Sequence, residues 1–172
     1  MKIFLIGYMG SGKSTAGKKL AAKLGMDFID TDDCIEKEQG RGISEVFEKE
    51  GEEKFREQER DYLQKLMEKD NMLIATGGGT PCFFNNMDVM NANGISVYFK
   101  MSVDSLANRL MNAKKKRPLI QDMNEAELHD FINTNLENRE PFYNKAHFKV
   151  KAKDLDVDGL ADFLKTEIAK KN

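Results

Sequence analysis

An apolar run from Lys2 to Ile6 leads directly into Gly7-Tyr8-Met9-Gly10-Ser11-Gly12-Lys13-Ser14-Thr15, which contains a Gly-x-x-x-x-Gly-Lys-Ser loop. Such a loop holds phosphate oxygens on bare backbone amides and on the positive end of a helix. It must therefore leave a buried strand and open a helix. Both flanks comply. The preceding run suits a strand buried on both faces. After the loop, Ala16, Leu20 and Leu24 recur at helical spacing, Ala21 widens the stripe, Lys18, Lys19 and Lys23 fall largely outside it, and Gly25 supplies a stop. A plain glycine turn before an ordinary helix would leave Lys13 unexplained, because the macrodipole disfavours a cation in the first turn. A bound anion removes the conflict. Lys13 is assigned to the β- and γ-phosphates of a nucleotide and the Ser14 hydroxyl to Mg2+. Gly10, Ser11 and Gly12 complete the cradle, and Thr15 adds a further phosphate contact.

At 172 residues the chain fits one domain, 1–172. With 40% hydrophobic residues, 33% charged residues and a net charge of -2, it reads as a globular chain that does not favour a nucleic-acid partner. No apolar run approaches a membrane span, and the one after Lys2 is too short for a signal peptide. A cytoplasmic location is expected. Cys34 and Cys82 form no Cys-x-x-Cys pair and read as reduced thiols, while His129 and His147 stand apart from other metal-ligand types.

Downstream, Met26 to Ile29 reads as a second strand ending in Asp30-Thr31-Asp32-Asp33. A charged helical region extends from about Cys34 to Lys69, with breaks at Gly40-Arg41-Gly42 and near Gly51. A third strand, Met72 to Ala75, runs into Thr76-Gly77-Gly78-Gly79-Thr80-Pro81, and a fourth, Ile95 to Phe99, follows Asn93-Gly94. Ser102 or Asp104 is placed to cap a helix through about Ala113. Beyond Lys114-Lys115-Lys116-Arg117-Pro118, a helix is expected from about Asn124 to Asn138, a fifth strand from Phe148 to Val150, and a final helix from Val157 to Ala169 with Leu160, Phe163, Leu164 and Ile168 inward. Strands alternating with helices predict an α/β chain whose parallel sheet is covered on both faces and binds ligands at the carboxyl ends of its strands.

A phosphate loop does not name the phosphate acceptor. Asp30 and Asp32 project to one side of extended backbone at a strand end, where one could hold Mg2+ through water and the other accept a hydroxyl proton. Alternatively, either caps the next helix. Gly77-Gly78-Gly79 allows a ligand to approach bare backbone, or is simply a flexible loop. Arg56 precedes Glu59 by three residues and can be aligned by it, although a solvated pair fits as well. Phe47 and Phe55, which flank this arginine, read as core. Arg117 and its lysines mark either a solvated surface or polyanion site, or a lid that closes over phosphates.

Taken together, these residues resemble the shikimate kinase family over nearly the whole chain. The match is carried by the phosphate loop, Asp30-Thr31-Asp32 with Ile35-Glu36, Ile43 to Phe47, Gly51-Glu52, Phe55-Arg56 with Glu59, Gly77-Gly78-Gly79, Arg117-Pro118-Leu119, and Arg139 with Pro141, Tyr143 and Ala146. The resemblance implies transfer of the γ-phosphoryl group of ATP to the 3-hydroxyl of shikimate, with Mg2+, by a monomer. It implies a three-layer P-loop kinase fold with a five-stranded parallel sheet ordered 2-3-1-4-5, a helical substrate-binding region at about 31–60 and a lid at about 112–124. By similarity, Asp32 is the base that binds the acceptor hydroxyl, and Asp30 holds Mg2+ through water. Arg56 and Arg139 grip the substrate carboxylate beside the Gly78 and Gly79 amides, and Glu59 orients Arg56. Arg117 is the lid arginine, and Arg109 stacks on adenine with help from backbone near Lys153. Thr80-Pro81-Cys82 carries no role in this reading.

Gluconate kinase and nucleoside monophosphate kinases are the nearest rivals. A GTP-driven switch would need Asn-Lys-x-Asp, but Asn144-Lys145-Ala146-His147 lacks the aspartate, and Asp156 to Gly159 comes too late for the switch's Asp-x-x-Gly. A polyanion-binding module around Lys114 to Arg117 is a third class.

Overall fold

The computed structural model describes residues 1–113, 120 and 122–170. Its centre is a parallel sheet of strands β1 (Lys2–Ile6), β2 (Asp27–Asp30), β3 (Met72–Ala75), β4 (Ile95–Lys100) and β5 (Phe148–Lys151), in the spatial order β2-β3-β1-β4-β5. The inner strands β1, β3 and β4 are buried along their length except at Lys100. Continuous apolar runs of this kind require helices on both faces of the sheet. The edge strand β5 instead alternates half-buried Phe148 and Val150 with exposed Lys149 and Lys151.

Helix α1 (Lys13–Leu24) lies on β1, β2 and β3 and packs beside α7 (Val157–Ala169). Its distance from the sheet is set by Gly17. A Cβ at this position would stand 2.6 Å from Cε2 of Phe28 and 3.1 Å from Cδ1 of Leu5. Helices α2 (Thr31–Gln39) and α3 (Ile43–Met67) follow β2, and α3 kinks at Gly51, where φ is 84°. Ile35, Val46 and Phe55 form a small core here, separate from the main one, with Ile43, Phe47 and Tyr62 packed around them.

Ser102 caps α5 (Val103–Met111), which settles the choice between Ser102 and Asp104. Asn124 and Glu127 form a capping box at the start of α6 (Glu125–Tyr143). Several boundaries and packing positions differ from expectation. Helix α4 (Asn86–Asn93) has no helical signal in the sequence; asparagine occupies Asn86, Asn91 and Asn93, while only Met87 and Met90 bury apolar side chains. Helix α6 does not end near Asn138 but runs through Pro141. A proline in the last turn gives up a single backbone bond, and fully buried Tyr143 anchors that turn by donating to the Gly78 carbonyl at 2.6 Å. Phe163, expected inward on α7, is 41% exposed and meets Phe148 edge-on, because β5 is an edge strand with no further strand beside it among the described residues. Among the described residues no helix is long and apolar enough to cross a membrane.

The Gly17 contact makes a stability prediction. Gly17→Val should lower the unfolding free energy by about 2 kcal/mol through overpacking against Phe28 and Leu5, measured by urea denaturation. A variant as stable as the wild type would show that α1 does not depend on this close approach.

Candidate active site

The loop between β1 and α1 folds around backbone that only glycine adopts readily, with φ of 139° at Gly7 and 92° at Gly12. A side chain at Gly7 would also strike the Phe99 carbonyl oxygen, 2.8 Å away. Lys13 is buried, and its Nζ donates to the carbonyls of Gly7 at 2.7 Å and Tyr8 at 3.0 Å. The lysine is thus folded over the loop, and a phosphate there would offer it a stronger, charged acceptor. Ser11 Oγ is buried with no hydrogen-bond partner among the described residues.

Beside the loop lies a cleft of about 280 Å³, lined by Thr15, Phe99, Arg109, Ala152 and Asp154 among others. Arg109 is exposed at its rim and donates from Nη1 to the Gly10 carbonyl at 3.4 Å. Lys153 is exposed, while its neighbours Ala152 and Asp154 line the cleft. A roomier hollow of about 380 Å³ between β5 and α7 is walled mainly by apolar groups such as Phe148, Leu160 and Phe163. It has no phosphate-binding loop, so the P-loop cleft is the candidate site.

The exit of β2 brings Asp30 to the start of α1, beside Ser14. Asp30 caps the next helix, one of the alternatives left open by the sequence, and turns its second oxygen to Ser14. Its Oδ1 caps α2 by accepting from the Asp32 amide at 3.1 Å, while its Oδ2 accepts from Ser14 Oγ. A hydroxyl and a carboxylate side by side fit the oxygen donors that Mg2+ prefers. Among the described residues no cluster of three or more His, Cys, Asp or Glu side chains could hold a metal without such help. Across from Asp30, the Gly77 amide donates to Thr31 Oγ1 at 3.1 Å. The space where Gly77 lacks a side chain is a meeting point, lying 2.6 Å from Asp32 Oδ1, 2.7 Å from Glu59 Oε1 and 3.0 Å from Thr80 Oγ1.

Arg56 lies beyond that point, on α3, and the solvated-pair alternative does not hold for it. It is 8% exposed, and Glu59, which accepts from its Nη1 at 2.6 Å, is 3% exposed. Glu52, on the solvent side, takes Nε at 3.2 Å and Nη2 at 3.0 Å. Burial alone would weaken the guanidinium's hold on its proton, but the charges and hydrogen bonds of Glu59 and Glu52 outweigh it and raise the pKa above the ordinary arginine value. The Phe83 ring lies 4.3 Å from its Cζ, and the Phe55 ring 5.3 Å. Its other face rests on Gly79, where a Cβ would be 2.7 Å from Cζ.

Arg139 comes from α6 to the neighbouring glycine, Gly78. Its Nη1 is 3.4 Å from where a Gly78 Cβ would stand, and its guanidinium lies 5.3 Å from the Tyr8 ring. It also hydrogen-bonds Tyr143, whose hydroxyl burial holds well above its ordinary pKa. Cys82 is pushed up to about 11 by burial, against the pull of Arg139 and Arg56, and stays a neutral thiol. Gly78 would abut the phosphate loop as well, with the Met9 amide 3.3 Å from its Cβ position. Contacts therefore link Ser14 to Asp30, Gly77 to Asp32 and Glu59, Gly79 to Arg56, and Gly78 to Arg139 and to the phosphate loop that carries Lys13. Arg117 lies outside the described residues, as do Lys114, Lys115 and Lys116 before it.

The sequence reading misses Thr80, Phe83 and Glu52 as parts of the site. Glu52 carries a usable signal, four residues before Arg56 on one helix. Thr80 and Phe83 carry none, because their roles arise from packing between distant segments.

Comparison with known proteins agrees with this geometry. A family model described as shikimate kinase matches residues 9–169. The curated shikimate kinase of Azobacteroides pseudotrichonymphae is 47% identical over 168 residues, covering 97% of this chain and 99% of that protein. The crystal structure of shikimate kinase from Bacteroides thetaiotaomicron superposes with a TM-score of 0.92 at 41% identity, covering 98% of each chain. That of the Acinetobacter baumannii enzyme in complex with shikimate superposes with a TM-score of 0.86 at 34% identity, covering 99% of this chain and 94% of the other. With its P-loop, paired arginines and parallel sheet in the order β2-β3-β1-β4-β5, this chain belongs to the shikimate kinase family.

Proposed function

We propose that this chain transfers the γ-phosphoryl group of ATP to the 3-hydroxyl of shikimate, giving 3-phosphoshikimate and ADP on the route to aromatic amino acids. The observation that carries this reading is the placement of Arg139 beside Gly78 and of Arg56 beside Gly79, in a triplet that also abuts Asp32 and the phosphate loop. Two guanidiniums there suit a carboxylate, and Asp32 stands where the same ligand would turn a hydroxyl toward the phosphates.

In the proposed reaction, the hydroxyl oxygen attacks the γ-phosphorus, its proton passes to Asp32, and the bond from phosphorus to the β,γ-bridging oxygen breaks to release ADP. Little covalent participation by protein is needed, so positioning and charge neutralisation supply most of the acceleration. Lys13 leaves the Gly7 and Tyr8 carbonyls for the phosphates, and amides of Gly10, Ser11 and Gly12 complete the cradle, with Thr15 beside them. Ser14 and Asp30, the latter through water, would hold Mg2+, which supplies neutralisation of the phosphate charge. Arg109 and the backbone around Lys153 are assigned to the base. Arg117, in the lid at about 112–124, is assigned to the transferring group. The separate small core under α2 and α3 supports the assignment of 31–60 as a substrate-binding region within a single kinase domain. The same proposal takes the protein to be a cytoplasmic monomer that binds neither nucleic acid nor membrane.

A coupled ADP-release assay over shikimate, gluconate and nucleoside monophosphates tests the acceptor. Shikimate should be turned over with the highest kcat/KM, and equal or better use of gluconate or a nucleotide would sink the assignment. Variants separate the two ends of the site. Lys13→Met should nearly abolish turnover, and Arg117→Ala should reduce kcat by roughly a thousandfold. Arg139→Ala should instead raise the KM for shikimate by roughly 10- to 100-fold, the equivalent of about 1.5 to 3 kcal/mol for a charge-assisted bond, with little change in the KM for ATP. An unchanged shikimate KM in that variant would remove the carboxylate grip.

A further inference from the structure

Thr80 belongs to no part of the nucleotide cradle, yet it is 1% exposed and held on every polar side. Its amide donates to the Gly77 carbonyl at 3.2 Å, its carbonyl accepts from Nδ2 of buried Asn86 at 2.9 Å, and its hydroxyl donates to Glu59 Oε1 at 2.6 Å. The hydroxyl is thus a fixed donor. Its acceptor, Glu59, divides two carboxylate oxygens between two partners, with Oε1 on Thr80 and Oε2 on Arg56 Nη1.

This division determines where the Arg56 guanidinium points. While Oε1 is engaged by Thr80, Arg56 bonds Glu59 through Nη1 alone, and its Nε and Nη2 edge is directed to Glu52 near the surface. With Oε1 deprived of its donor in so buried a place, the remaining donors of Arg56 are the nearest compensation, since an ionised carboxylate left unpaired inside a protein is costly. A guanidinium readily pairs two parallel N–H groups with one carboxylate. Turning to do so would lift it off Gly79 and Phe83 and take the Nε and Nη2 edge with it. Glu59 Oε1 and Asp32 Oδ1 also approach the same point over Gly77, and the Thr80 hydroxyl is a neutral donor placed at that junction.

We infer that Thr80 is a positioning residue for the acid substrate: it holds one oxygen of Glu59 so that Arg56 keeps the orientation in which its Nε and Nη2 edge faces Glu52, whose place a ligand carboxylate can take. The inference rests on the shikimate reading above and adds to it a residue that touches neither substrate.

The experiment compares Thr80→Val, which removes the hydroxyl with little change of shape, with Thr80→Ser, which retains it. In steady-state assays with ATP and shikimate, Thr80→Val should raise the shikimate KM by about tenfold. The ATP KM should stay within about twofold and kcat should fall much less than the shikimate KM rises, with Thr80→Ser restoring wild-type constants. If Thr80→Val does not fold, Thr80→Ala carries the same comparison. In a Glu59→Gln background the valine substitution should add no further loss, because its route to Arg56 is already broken. A wild-type shikimate KM in the hydroxyl-free variant, an equal rise in both KM values, failure of serine to rescue, or a full additional loss in the Glu59→Gln background would each overturn the inference while leaving shikimate turnover by the wild type intact. Absence of shikimate turnover in the wild type would overturn the reading beneath it.

Discussion

The parallel register of β1 with β3, and of β3 with β2, brings the active-site loops to one level. Leu5 pairs with Ala75, and Ala75 with Asp30, so the chain leaves these three strands at the same edge of the sheet. One residue past the last β1 pair with β4, at Ile6 and Tyr98, the phosphate loop begins. The loop, the Asp30-Thr31-Asp32 segment and the glycine triplet therefore start side by side. Hydrogen bonds across the gaps then fix their spacing, from Ser14 to Asp30, from Gly77 to Thr31 and from Thr76 to Leu5. A register slip would reverse the faces of a strand and scatter these groups.

Within that frame the site is organised around charges placed where water is scarce. Arg56 is buried among phenylalanines and bare glycine backbone, and its charge is retained because Glu59 and Glu52 are built beside it. Lys13 is buried too, held on carbonyl oxygens of its own loop. Both cations are therefore held at the site by groups of the chain itself, and in the proposed function phosphate and carboxylate would take the place of the Gly7 and Tyr8 carbonyls and of Glu52. Missing side chains matter as much as those present. Gly77, Gly78 and Gly79 leave room for Asp32 with Glu59, for Arg139 and for Arg56 respectively, which explains the triplet better than flexibility does.

What could be read in the sequence was what local chemistry dictates. The phosphate loop, β3 and α7 follow from glycine spacing, a short apolar run and helical periodicity, and they lie where those patterns put them. The burial of Arg56 was not legible, since the groups that cover it come from another segment; Glu59 and Thr80 are 21 residues apart. In the sequence the arginine looks like one more member of a charged helix. The same limitation hid α4, whose asparagines give no helical signal, and the last turn of α6, which survives Pro141 because Tyr143 is anchored on Gly78. Asp30 shows a different limit. Capping and metal binding were posed as alternatives, but a carboxylate has two oxygens; the cap uses one, and the other faces the Ser14 hydroxyl.

In the proposed function, the Glu52 contact gives acid recognition by Arg56 the character of an exchange. Its single oxygen already bridges the Nε and Nη2 donors of Arg56, the edge that an incoming carboxylate would need. Glu52 sits on a half-solvated side chain, 56% exposed, so it can be released to water at small cost. An acid that takes its place leaves the number of ion pairs on Arg56 unchanged. Charge alone then gives a visiting acid little advantage over the resident one. Discrimination passes to whatever else the visitor can satisfy at the same moment, so that arginines which would otherwise welcome any anion retain only one that also fits the rest of the opening.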